Sequence, residues 1–340
     1  MRRLLPLLGL ALLAACERPA PSSLDRSPLL KSDEHERGDD DRKPIDIAVI
    51  GDVPYGDEAR AAFPSFIDAL NGADNVSLVV YVGDIKSGSD LCSDAIFQGV
   101  AEQFRRLTDP LVYAIGDNEW TDCHRANNGG YNPLERLGTL RALFFATPQV
   151  ALGSGHLRLR AQHGYPENHL WLRSGVTFAA LHIIGSNNGL APWTPPLDDP
   201  AAREAEVAAR NAANIRWLEH AFAVARGERS AGIVLFFQAD LWQPDDRAAG
   251  VSFTAHTEFV QRLAQLAARF KKPVLLVAGD SHDYRVDMGV PWFSLYGVTP
   301  QPNITQLIVD RSMEDDRNWV RLHVDPKTPA VFSWEQVFVP

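Results

Sequence analysis

The chain has 340 residues, 45% hydrophobic and 22% charged, which is enough apolar material to bury a sizeable core without crosslinks. Its formal charge of −10 argues against a nucleic-acid surface, because such a surface needs a basic stripe to displace counterions. The one stretch apolar enough to enter a bilayer, residues 4–15, is too short to cross a hydrocarbon core of roughly 30 Å, so the body of the chain reads as soluble.

That stretch follows Met1-Arg2-Arg3 and closes on Leu13-Ala14-Ala15-Cys16, giving a positive start, a short apolar centre and small residues before a cysteine. The segment resembles the lipobox of bacterial lipoproteins. The resemblance implies a signal peptide over residues 1–16, lipidation of Cys16, and an acyl anchor holding the protein in the bacterial cell envelope on its periplasmic or exterior face. Residues 17–44 are rich in proline, serine and charge and show no helical or alternating apolar period, so a disordered tether is expected there. No internal repeat is visible beyond it.

From residue 45 to 340 a single folded domain is expected. Short β-branched runs alternate first with longer amphipathic segments, which predicts an α/β domain. In chain order the predicted elements are a strand at 45–50, a helix at 58–70, a strand at 77–82, a helix at 94–107, a strand at 111–115 and a helix at 133–145. A strand at 176–184, a long helix at 201–226, a strand at 233–237, a helix at 254–270 and a strand at 273–278 follow. Beyond Val290 the helical signal is gone, and 305–309, 319–324 and 330–338 read as strands of a closing sheet.

Five of these runs end in a polar signature: Gly51-Asp52, Gly83-Asp84, Gly116-Asp117-Asn118-Glu119, Gln238-Ala239-Asp240 and Gly279-Asp280-Ser281-His282. Ligand sites of α/β sheets lie beyond the carboxyl ends of strands, so residues far apart in sequence can converge there. A lone Gly-Asp is an ordinary turn, whereas several behind apolar runs, one with a histidine two residues on, predict a convergent metal site.

The pattern over residues 45–284 resembles the calcineurin-like metallophosphoesterases. The resemblance implies their α/β fold, two mixed β-sheets packed as a sandwich and flanked by helices, and hydrolysis of phosphoesters by metal-activated water. Carried over position by position, it puts one ion on Asp52, Asp84 and His282 and another on Asp84, Asp117, Gln238 and Asp280. The substrate would be a phosphorylated small molecule or a phosphodiester.

Several positions depart from the family. Pro54 stands where its first histidine falls, Asp117 where it has asparagine, Asn118 where it has the histidine that often serves as acid, and Gln238 and Asp280 where it has ligand histidines. Fewer imidazoles and more oxygens shift preference from zinc or iron toward magnesium, manganese or calcium. Four carboxylates would also neutralise two divalent ions and weaken attraction for a phosphate dianion, so either the site holds one ion rather than two, or Lys86 or Arg125 restores the attraction, or the substrate is not a typical phosphomonoester. Because Asn118 cannot deliver a proton as histidinium does, Glu119 and His124 become candidate acids, with Asn118 contacting a phosphoryl oxygen. Lys86 and Asn187 are candidate substrate contacts, while His182, inside the apolar run FAALHII, reads as a hydrogen-bonded sheet residue. In an oxidising compartment Cys92 and Cys123, each just beyond a site motif, are expected to form a disulfide. The alternative to an enzyme is a noncatalytic metal-binding or recognition lipoprotein that keeps the fold.

Overall fold

The computed structural model describes residues 42–313 and 317–339. The expected signal peptide, Cys16 and nearly all of the expected tether lie outside the described residues. Among the described residues no helix is long and apolar enough to cross a membrane.

Each early strand is apolar at consecutive positions because both of its faces are covered. In β1 (Ile45–Ile50), Ile47 and Val49 point into one buried layer while Ala48 and Ile50 point into another. In β2 (Val76–Tyr81), Leu78 and Val80 follow the first pair and Val79 and Tyr81 the second. β3 (Leu111–Tyr113) completes this parallel trio. Helices Gly56–Asn71, Asp94–Arg106 and Pro133–Phe144 cover its outer face. The second of these begins where the Ser93 hydroxyl accepts the Ile96 N–H at 3.4 Å, and it buries Phe97, Val100, Ala101 and Phe104 along one stripe.

The second sheet begins with β4 (Arg160–Gln162), β5 (Tyr165–Arg173) and β6 (Val176–Ala180), and continues with β7 (Ile233–Phe236), β8 (Val274–Ala278), β9 (Arg285–Met288) and β10 (Ile304–Ile308). Its spatial order is β4-β5-β6-β7-β8-β10-β9, with β6, β7, β8 and β10 parallel. The first sheet runs β12-β11-β1-β2-β3, closed by the antiparallel β11 (Asn318–Val324) and β12 (Phe332–Phe338). Both sheets are therefore mixed. They pack face to face through Val49, Val80, Phe178, Val234, Phe236, Val277 and Leu307, among others. Helices Pro200–Gly227 and Thr257–Phe270 cover the far side of the second sheet. The result is the expected fold, two mixed sheets flanked by helices.

Three strands were not expected. β5 escapes a hydrophobicity reading because Glu167, Asn168 and His169 lie inside it and are buried. Their partners are distant in sequence: Glu167 accepts from Arg141 at 2.5 Å and contacts His182 Nδ1 at 2.9 Å, while Asn168 donates to Asn214 at 2.8 Å. His182 is thus a buried, hydrogen-bonded residue beside the sheet. The strand expected over 176–184 ends at Ala180, since the following chain leaves the ladder to reach the site.

Candidate metal centre

The carboxyl ends of β1, β2 and β3 and those of β7 and β8 meet at one edge of the sandwich, and the five polar signatures follow them. Asp52, Asp84, Asp280 and His282 have φ of 55°, 62°, 76° and 65°, a left-handed backbone that turns each loop sharply off its strand. Close approach is secured by missing side chains. A Cβ on Gly116 would collide with Asp84 Oδ1, and one on Gly185 would lie 2.7 Å from Asp117 Oδ2 and 2.9 Å from Asp280 Oδ1.

Asp84, Asp117 and Asp280 each bring one carboxylate oxygen within 4.8 Å of the others, the only such group of three His, Cys, Asp or Glu residues among the described residues. None of the three is paired with a lysine or arginine there. Burial pushes Asp84 well above the ordinary carboxylate range, and Asp117, Glu119, Asp52 and Asp280 push it further. Asp280 is raised in the same way by burial, then by Asp117, Asp52 and Asp240. Asp117 is raised by burial against the opposing pull of Ser186 and Arg125. Three crowded, desolvated oxygen donors without a directly bonded lysine or arginine fit a hard divalent ion, and Gly185 leaves the gap between two of them clear.

Gln238 is not placed as a ligand. Its Nε2 donates to Asp84 Oδ2 at 3.1 Å and Asp117 Oδ1 at 3.0 Å, while its carbonyl accepts the Gly185 N–H at 2.7 Å. The Gly185 donor fixes this orientation, so an –NH₂ rather than an oxygen faces the carboxylates. Asn118 acts similarly, donating Nδ2 to Asp84 Oδ2 at 2.9 Å and its backbone N–H to Oδ1 at 3.2 Å.

Asp52 is fully buried and accepts the Asp280 N–H at 3.3 Å, and its Oδ1 lies 3.4 Å from His282 Nε2. Asp52 and His282 do not close with Asp84 into a ligand set, because the Tyr55 hydroxyl stands among the three. It is 3.1 Å from Asp52 Oδ1 and 3.4 Å from both Asp84 Oδ2 and His282 Nε2. Tyr55 was not anticipated; its position on the loop that Asp52 opens was the available signal.

The other expected contacts lie elsewhere. Glu119 is fully buried behind the site, accepting from Tyr113 and the Gly116 N–H at 2.6 Å each, so it holds the turn rather than facing a substrate. His124 is tied to Thr194 through the hydroxyl at 2.9 Å and the N–H at 2.8 Å, and its pKa is lowered by burial and Arg125. Lys86 is buried with Nζ on Asn128 Oδ1 and Ser87 O, both at 2.8 Å, so its charge supports the acidic site from beneath without reaching a phosphate. Asn187 stands at the cleft rim, accepting the Ala255 N–H at 2.9 Å.

Asp117 and Asp280 open onto a cleft of about 980 Å³ walled by Arg125, Ser186, Leu190, Phe253 and Tyr284. Asp122, also on this wall, accepts Ser186 Oγ at 2.9 Å and pairs with Arg125 at 2.8 Å. Burial and Asp117 raise it to about 7 against Arg125. Cys92 and Cys123 form a disulfide with Cα atoms 5.8 Å apart, joining the loops that follow Asp84 and Asp117.

Strand-end carboxylates converge at one edge of two packed mixed sheets. The family model for calcineurin-like phosphoesterases matches residues 45–284, and the chain belongs to that family. No curated protein matches the chain in sequence. Among solved structures, GAP50, the anchor in the inner membrane complex of Plasmodium, is similar with a TM-score of 0.47 and 11% identity over 87% of this chain and 89% of that one. The purple acid phosphatase PPD1 from yellow lupin (Lupinus luteus) seeds gives 0.47 and 10% over 87% of this chain and 54% of its own.

Proposed function

We propose that the protein is a metal-dependent phosphoester hydrolase held at the bacterial cell envelope by a lipidated Cys16. The observation that carries the catalytic part is the group Asp84, Asp117 and Asp280, three oxygen donors within 4.8 Å of one another with no lysine or arginine directly bonded to them among the described residues, two of which, Asp117 and Asp280, line a cleft of about 980 Å³. A divalent cation bound there would supply Lewis acidity toward a phosphoryl oxygen and toward water. Magnesium or manganese suits the all-oxygen set better than zinc.

The residues of the chain supply the rest. Gln238 and Asn118 hold Asp84 in place through neutral donors, and Gln238 links it to Asp117. Arg125, on the cleft wall, offers a positive charge toward a phosphate that enters, and Leu190, Phe253 and Tyr284 offer apolar surface to the rest of the ester. The anchoring part rests on the Leu13-Ala14-Ala15-Cys16 sequence alone.

One observation favours a noncatalytic recognition protein instead. Asp84 is already surrounded by uncharged donors from Asn118, Gln238 and Tyr55, an arrangement that satisfies it without an ion. Metal analysis of the purified protein, followed by assays on phosphomonoesters, phosphodiesters and nucleotides with and without chelator, separates the two. Chelator-sensitive hydrolysis supports the enzyme; bound metal with no turnover across the panel supports recognition.

A further inference from the structure

We infer that the centre takes one divalent cation per chain, on Asp84, Asp117 and Asp280, and that the Tyr55 hydroxyl, by hydrogen bonding, occupies the place between Asp52, Asp84 and His282 where a second would bind. The inference rests on the metal-centre reading above and fixes its stoichiometry.

Ligand atoms that share one ion with bonds of about 2.0 to 2.4 Å lie no more than about 4.8 Å apart. Among the described residues Asp84, Asp117 and Asp280 meet that limit, and Asp52, Asp84 and His282 do not. What separates them is the phenol oxygen, 3.1 Å from Asp52 Oδ1, 3.4 Å from Asp84 Oδ2 and 3.4 Å from His282 Nε2, with Asn118 Nδ2 donating to it from 3.3 Å. These are hydrogen-bond separations, about one ångström longer than metal–ligand bonds.

The ring is fixed in this position. It meets His282 edge-on with centroids 5.5 Å apart, the Arg311 guanidinium lies over it at 5.4 Å, and the next backbone N–H, that of Gly56, donates to Asp90 at 2.9 Å. Tyr55 also follows directly on Pro54, the position at which the family pattern has its first histidine. The chain therefore lacks one imidazole there and carries a phenol against the remaining donors.

The test is manganese stoichiometry, by calorimetric titration and by metal analysis after gel filtration, on the full chain and on Tyr55→Phe and Tyr55→Ala. One ion per chain is expected for the unaltered protein and for Tyr55→Phe, whose ring edge still fills the position without the hydroxyl, with affinities within about threefold. Tyr55→Ala, which empties the position, should take up a second, weaker ion. Two ions on the unaltered protein would overturn the inference while leaving the metal centre intact. A loss of stoichiometry, or of 100-fold or more in affinity, in Tyr55→Phe overturns it by making the hydroxyl a ligand. A Tyr55→Ala protein that stays at one ion overturns the claim that the Tyr55 side chain excludes the second. No binding by any of the three removes the metal-centre reading itself.

Discussion

Gln238 Nε2 lies 3.1 Å from Asp84 Oδ2, so at this strand end a neutral donor faces the carboxylate where the family pattern has a ligand histidine. The same side chain accepts from Gly185 N and thereby ties the loop after β6 to the loop after β2. Its role is to satisfy buried groups whether or not an ion is present. Gln238→Leu should therefore cost about 2 to 4 kcal/mol even in chelator, because it leaves a buried N–H and two buried carboxylates short of partners. Chemical denaturation of the metal-free proteins measures this. A cost that appears only in the metal-loaded protein would instead make Gln238 a ligand.

Asp280 and Asp52 separate ligand from support. Asp280 offers an oxygen to the carboxylate group, whereas Asp52 accepts the Asp280 backbone N–H and the Tyr55 hydroxyl. Asp280→Asn should lower manganese affinity more than 100-fold, and Asp52→Asn by about tenfold, the lower end of the range for residues that only orient a ligand. Calorimetry distinguishes the two, and equal losses would place Asp52 on the ion.

Much of this centre is legible in the sequence, and the reason is topological. Parallel strands buried on both faces read as continuous apolar runs, so their ends, and the Gly-Asp pairs behind them, can be located without a structure. What each side chain does there is less legible. Whether Gln238 offers its oxygen or its nitrogen depends on the Gly185 N–H, 53 positions away in the chain. Tyr55 is a phenol in a turn until the third dimension brings Asp84 and His282 to it. The Gly185-Ser186 loop follows an apolar run as the other glycines follow theirs, but Ser186 and Asn187 have φ of 50° and 54°, which no periodicity reveals.

Asp84, Asp117, Asp122 and Asp280 all have pKa values raised in the metal-free fold, Asp122 to about 7. Between the ordinary carboxylate value near 4 and these raised values the native state holds more protons than the unfolded chain, so stability falls as pH rises. A bound ion takes the place of those protons. Buried His169 and His256, lowered to about 4, act in the opposite sense below about pH 6.5, so the metal-free protein should melt lower at pH 8 than at pH 6.5, and the rise in Tm on adding manganese should grow over the same interval. Thermal melts with and without chelator across that range check it; a metal-induced shift that does not vary with pH would contradict it.

The disulfide Cys92–Cys123 spans a sequence separation of 31 residues and connects the loops behind Asp84 and Asp117. On the chain-entropy estimate, replacing both cysteines by serine should cost about 3 to 4 kcal/mol. Metal affinity should fall with it, since two of the three donors sit on the loops it joins. Denaturation curves and manganese titration of the double variant measure both effects.

Arg210 is fully buried beneath the loop that carries Gly185 and Ser186. Its guanidinium donates to Asn188 Oδ1 at 2.6 Å and to the Asn188 carbonyl at 2.7 Å, pairs with Glu206 at 2.8 Å, and lies over the Trp120 ring at 5.4 Å. A planar, permanently charged group with several donors can satisfy all of these partners at once, and a lysine cannot. The left-handed turn at Ser186 and Asn187 is costly on its own, so its shape depends on Arg210 holding Asn188. Arg210→Met should cost about 2 to 4 kcal/mol, since it leaves two buried Asn188 acceptors unsatisfied while the half-buried Glu206 can turn to solvent. It should also release Gly185 from its place against Asp117 and Asp280. Hydrogen exchange should then rise at 185–189 while the strands of both sheets keep their protection. If exchange at 185–189 is unchanged, the loop holds its turn without Arg210 and the proposed support is refuted.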